Sequence, residues 1–112
     1  GALDEGTLDQ LQRNVAFVEE GKQKFATVCA VCHLPTGAGS IGPNLTDEFW
    51  LHGKGQMLDI HKVVSDGVLD KGMPAWSKTL RPDELKKVVA FVGTLRRTNV
   101  AGGKAPQGSS ER

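Results

Sequence analysis

The chain has 112 residues, of which 38% are hydrophobic and only 5% aromatic, and its formal net charge is +1. That length holds one domain and not two. The near-zero charge argues against nucleic acid or an anionic membrane surface as a partner, and no apolar run reaches the ~20 residues of a membrane span.

Residues 1–6 read as a loose acidic leader. Thr7-Leu8-Asp9-Gln10 fits a capping box, and Leu8, Leu11, Val15 and Val18 then recur at spacings of three and four, one apolar face of a helix. The face continues through Gly21, Phe25 and Val28. One long helix is expected, or two joined near Glu20-Gly21, because an interior glycine costs about 1 kcal/mol relative to alanine. One turn apart, Gly21 admits a second helix at close range and Phe25 fills the space beside it. The C-terminal helix is the expected partner.

That helix leads into Cys29-Ala30-Val31-Cys32-His33, which contains both cysteines of the chain. The spacing fits covalent attachment of a c-type haem: two thiols add across the vinyl groups of one porphyrin edge, and the next residue offers its imidazole to the iron. A thioredoxin-like dithiol would need a preceding strand and a βαβ context, which the pattern lacks. Structural zinc would need two further ligands at matching spacing, and a disulfide within one turn would close too short a loop to stabilise anything. One covalent haem c, with its iron, is therefore the expected cofactor, and its apolar bulk would make up for a thin core. No charged-then-apolar signal opens the chain. Since such haems are attached outside the cytoplasm, the expectation is a periplasmic location or the extracytoplasmic face of the inner membrane. A removed targeting segment or anchor, or excision from a longer protein, is implied.

Leu34 to Leu45 is rich in glycine and proline and reads as a loop passing close to a flat ligand. Its glycines miss the phosphate-binding patterns. Within it the Pro43 carbonyl is placed to accept the Nδ1 hydrogen of His33, fixing the tautomer of the iron ligand. Thr46 to Gly55 predicts a short helix that carries Trp50 and His52. A further helix follows from Gln56 to Asp66, with Met57, Ile60, Val63 and Val64 on one side, His61 solvated and Gly67 as terminator. Gly67 to Trp76 is a second turn-rich loop, in which Pro74 pushes Met73 into an extended backbone. The last helix is expected from Pro82 to Arg97, with Leu85, Val88, Val89, Phe91, Val92 and Leu95 inward and Arg81 lacking a capping hydroxyl. From Thr98 the composition predicts a flexible tail.

Electron shuttling without gas binding needs a second axial ligand on the iron. Met73, in a rigid Gly-Met-Pro turn, is the first candidate, and a His/Met pair raises the potential relative to two histidines. Its alternative role is gap-filling, which is the reading for Met57 in its helical stripe. His52 is the bis-histidine rival.

Taken together, Gly21-x-x-x-Phe25, Cys-x-x-Cys-His, Gly42-Pro43-Asn44-Leu45, Gly72-Met73-Pro74 and a terminal helix with Phe91 resemble class I cytochromes c. The segments from Gly42 to Gly53 and from Gly67 to Trp76, with Thr98-Asn99 and Lys104-Ala105-Pro106-Gln107-Gly108, resemble the C-terminal haem domain of the di-haem c-type subunit of cbb-type haem–copper oxidases. The resemblance implies an all-α class I cytochrome c fold, N- and C-terminal helices packed together around one covalent haem c. It implies Cys29 and Cys32 as thioether attachments, His33 and Met73 as iron ligands, and Trp50 and Trp76 around the haem or its propionates. Plain core filling stays open for both tryptophans.

The expected division is a leader and helical extension at 1–17, a cytochrome c domain at 18–97 and a tail at 98–112. The expected function is single-electron transfer with no catalytic residues, within or to a terminal oxidase. A free-standing periplasmic shuttle is the alternative, and a gas-binding or peroxidase-type haem the remote one. Partners are then redox proteins, such as a cbb-type oxidase core or another cytochrome. Contact with a membrane comes only through an anchor or partner subunit outside this chain. Lys54, Lys71 and Lys78 flank the segments expected near the haem edge, where they offer a guide for an acidic partner, but they read mainly as a solvated face.

Overall fold

Asn14 divides the N-terminal helical region: its side-chain oxygen accepts from the Phe17 N–H at 3.1 Å and starts a new helix. In the computed structural model, which describes residues 3–110, the first helix, α1, is Glu5–Leu11 and the second, α2, is Val15–Val28. The break therefore lies at residues 12–14 and not at Glu20-Gly21. The capping box at Thr7 is also displaced, since α1 is capped by Asp4, whose Oδ1 accepts from the Thr7 N–H at 2.7 Å.

A one-turn helix α3 (Ala30–His33) follows, then α4 (Met57–Asp66) and α5 (Pro82–Leu95), with 3₁₀ turns at Leu69–Lys71 and Trp76–Lys78. The fold is thus all-α, apart from one antiparallel pairing of β1 (Phe49–Trp50) with β2 (Ser109–Ser110). Among the described residues, no helix is long and apolar enough to cross a membrane.

The N- and C-terminal helices pack together as the spacing predicts. Gly21 is buried in the middle of α2, where a Cβ would stand 1.9 Å from the Lys87 carbonyl oxygen of α5. Beside it Phe25 meets Phe91 edge-on, with ring centroids 5.1 Å apart, a geometry aromatic pairs prefer. Leu8, Phe25, Met57, Val88 and Val89 are essentially fully buried and form the centre of the core. Within the leader, Glu5 binds the fold: its carboxylate accepts from the Met57 and Leu58 N–H groups at 2.7 and 2.9 Å. It thereby caps the positive end of α4.

Two sequence expectations fail for related reasons. No helix forms over Thr46 to Gly55, because the Asn44 and Asp47 side chains take the Thr46 and Phe49 N–H groups at 2.8 and 2.9 Å and turn the chain. Nor is the tail splayed away from the body: the Asn99 and Lys104 N–H groups donate to Thr46 and Ala38 carbonyls, each at 2.8 Å.

At the start of α5, Pro82 takes the first helical position and the Glu84 carboxylate supplies the missing cap, accepting from the Arg81 N–H at 2.9 Å. That bond first, then Lys24 at 3.1 Å, holds the Glu84 carboxyl below the usual carboxylate range. A depressed folded-state pKa gives stability that is present above the unfolded value and lost as pH falls through the folded one. Glu84→Gln should therefore lower the melting temperature at neutral pH and flatten its decline on acidification. An unchanged acid limb in a melting series from pH 7 to pH 3 would count against this role.

Candidate functional site

Cys29 closes α2 and is also the residue from which α3 starts, so the two cysteines and His33 come from one continuous turn of chain. Leu34 then adopts φ +65°, a left-handed conformation rare for leucine, and reverses the chain directly behind His33. The Gly42 N–H returns to the Cys32 carbonyl at 2.8 Å, which folds the glycine-rich loop back over the histidine. A Cβ at Gly42 would lie 2.6 Å from His33 Cε1, so only glycine lets this loop lie against the ring. The same loop brings the Pro43 carbonyl to 2.9 Å from His33 Nδ1. With Nδ1–H donating there, Nε2 is left with its lone pair free.

His33 is buried, and that burial, ahead of the Pro43 bond that opposes it, lowers its pKa and keeps the ring neutral. Burial pushes the Cys29 thiol up to about 12, with Cys32 adding to it. A redox dithiol requires the opposite, a depressed thiol pKa, so the thioredoxin-type alternative loses its chemistry here. Among the described residues, no group of three or more His, Cys, Asp or Glu side chains is arranged to hold a metal ion.

Met73 is fixed by its backbone. It pairs with Val68 in an isolated bridge, with hydrogen bonds of 2.9 and 3.1 Å, and Gly72 before it is left-handed at φ +88°. Gly67 allows the two arms to close, for a Cβ there would meet the Pro74 carbonyl carbon at 2.5 Å.

These segments enclose a mainly apolar cavity of about 500 Å³. Cys29, Cys32, His33, Pro43, Trp50, Met73 and Trp76 all line it, so the structure brings the whole sequence-predicted set to one place. His52 also borders the cavity but is exposed. Met57 does not border it; fully buried in the core, it packs toward Gly93. His61 is half-buried instead of solvated, with burial and then Lys86 lowering its pKa. Ile60, Val63, Val64, Val68 and Val92 supply the apolar walls.

Sequence reasoning missed Gln107, which reaches the same cavity from the tail. The only sequence signal for it was the Lys104–Gly108 segment, whose composition pointed to a loose chain end. Lys54, Lys71 and Lys78 are all exposed, and Lys71 borders the cavity.

The donor set fits a haem: two thiols, an imidazole with Nδ1 occupied, a thioether from a rigid turn, and apolar walls large enough for a flat macrocycle.

The family described as cytochrome c oxidase, cbb3-type, subunit III matches residues 16–92. The cbb3-type cytochrome c oxidase subunit CcoP of Rubrivivax gelatinosus is 35% identical over 101 residues, covering 88% of this chain and 32% of that protein. Subunit FixP of Rhizobium meliloti (strain 1021) is 37% identical over 94 residues, covering 80% of this chain and 31% of the relative. The chain thus spans about a third of the length of these relatives. Among solved structures, cytochrome cL of the marine methylotroph Methylophaga aminisulfidivorans superposes with a TM-score of 0.65 at 18% identity, over 82% of this chain and 71% of that one. At that identity the likeness concerns the fold.

Proposed function

This chain belongs to the family of cbb3-type cytochrome c oxidase subunit III, and from that premise we propose that it carries single electrons through one covalently held haem c, within or toward a terminal oxidase. One-electron Fe(II)/Fe(III) cycling is the chemistry the haem supplies when bound. Cys29 and Cys32 furnish the thioether attachments. His33, with its Nδ1 proton on the Pro43 carbonyl at 2.9 Å, would offer Nε2 to the iron as a fixed tautomer. Met73 would supply a second iron ligand from its locked turn. Trp50, Trp76 and the valine walls exclude water from the site.

The unit that does this is residues 18–97, with 1–17 and 98–112 as extensions. Its place is the periplasm or the extracytoplasmic face of the inner membrane, and its partners are a cbb-type oxidase core or another cytochrome. No residue acts as a catalyst.

The single observation that carries the proposal is one cavity of about 500 Å³ holding both thiols, the carbonyl-braced imidazole and the Met73 thioether. The test is to produce the chain with haem-attachment machinery and follow mass, potentiometry and CO binding. One haem per chain, reversible one-electron cycling and slow CO uptake by the ferrous protein at neutral pH are expected. Rapid CO binding by the unaltered protein would instead indicate an open iron position and a sensing or peroxidase-type site.

A further inference from the structure

The tail is tied down at points spread along its length. Val100 N–H reaches the Thr46 hydroxyl at 3.2 Å, Asn44 Nδ2 donates to the Lys104 carbonyl at 3.2 Å, and the Ser110 hydroxyl meets Glu48 at 2.8 Å. The β1–β2 pairing sets the register, Trp50 opposite Ser109. At Gly108, with φ +86°, a Cβ would fall 2.1 Å from the Trp50 carbonyl oxygen, so glycine is what lets the tail lie against that strand. These constraints place the preceding residue, Gln107, in the wall of the cavity.

Its Oε1 is buried there without a hydrogen-bond partner, one of two such side-chain atoms among the described residues. A buried amide oxygen without a partner is costly, and in native proteins such an atom calls for a completing group, such as a ligand, an ion or a water. The group that fits this cavity carries hydrogen-bonding functions only at its two propionates. A half-turn about the last side-chain bond of Gln107 exchanges oxygen for NH₂ and offers an N–H donor to a carboxylate.

We propose that Gln107 is a haem-contacting residue: held in the cavity wall by the returning tail, its side-chain amide donates a hydrogen bond to a haem propionate and keeps that carboxylate ionised. The assignment rests on the haem reading above. A donor to the charged form favours ionisation, and an ionised propionate near the iron favours the ferric state. The tail thereby acts on the potential as well as on the stability of the domain.

His52, Asp59, Asp70 and Lys71 also border the cavity, Lys104 lies near His33, and Glu48 faces the tail. These groups are common to all variants, so differences between pH profiles isolate the amide. The test uses haem-loaded wild type, Gln107→Leu and Gln107→Glu, read by NMR titration of isotope-labelled propionates and by reduction potential from pH 5 to pH 8. Loss of the donor should raise propionate proton affinity at least tenfold in Gln107→Leu, and further in Gln107→Glu, where a second carboxylate repels the first. A potential that is flat with pH in the wild type should then acquire a slope. Gln107→Asn, whose amide is one carbon short, should behave like Gln107→Leu and carries the test if the glutamate variant takes up no haem. Titrations and potentials that superimpose on wild type would overturn the proposal. Failure of the wild type to bind haem at all would overturn the underlying reading instead.

Discussion

Met73→Ala should convert a closed site into an open one: the ferrous protein should bind CO rapidly at neutral pH, and its reduction potential should fall by more than about 60 mV, a tenfold shift in a one-electron equilibrium. The thioether is the ligand that raises the potential of a His-bound iron, so its removal acts on both quantities in the stated direction. Met73 is only partly buried and its backbone is held by the Val68 bridge, so the fold should survive the truncation.

Met57→Ala gives the contrast. That side chain is fully buried, in the core and away from the cavity, so its loss should cost about 2–5 kcal/mol in stability and leave CO binding slow. If Met73→Ala leaves CO binding as slow as in wild type, the second ligand is another residue, and His52 at the border of the cavity is the one to replace next.

The two methionines also show what kind of information the sequence carries. Met57 sits in a helical stripe with Ile60 and Val64, and a period of 3.6 is a local signal, so its place in the core was legible. The place of Met73 at the cavity was legible because Pro74 restricts its backbone and Gly72 supplies the left-handed turn before it. The Cys29–His33 motif needed no fold at all, since its chemistry is written in five adjacent positions.

What escaped was of another kind. Glu5 caps a helix 52 residues away, and Asn44 holds the tail across 60. Such pairs leave no periodicity, and glycine, proline and serine in the tail give the same composition whether the chain is loose or laid into a groove. The region of Thr46 to Gly55 failed differently. Its residues suit a helix start, but Asn44 and Asp47 offered the backbone competing partners at shorter range. Gln107 belongs with the long-range cases, because its position depends on the β1–β2 register, which no local rule sets.

The largest effect on the fold is expected at Gly21. Replacing glycine by alanine inside a helix normally gains up to about 1 kcal/mol. Here the added Cβ would stand 1.9 Å from the Lys87 oxygen and 2.6 Å from its carbonyl carbon. Both atoms are backbone in the middle of α5, so no side-chain rotation relieves the clash, and the helices must separate. Overpacking costs about 1–3 kcal/mol where side chains can adjust. With backbone on one side, Gly21→Ala should be destabilising despite its helix propensity, and Gly21→Val should cost about 3 kcal/mol or more. That is a large share of the roughly 5–15 kcal/mol available to a domain.

The damage should reach the site as well. The helix that moves carries Phe25, whose ring meets Phe91 on one side and lies 6.4 Å from the His33 ring, centroid to centroid, on the other. Separation of α2 from α5 therefore loosens the residue that braces the imidazole. Urea unfolding of Gly21→Ala and Gly21→Val, together with the haem absorption spectrum, checks both parts. The expected result is a graded loss of stability, with the valine variant also losing occupancy. An alanine variant as stable as wild type would mean that α2 and α5 repack without Gly21, and that the close crossing is not what holds the cavity in shape.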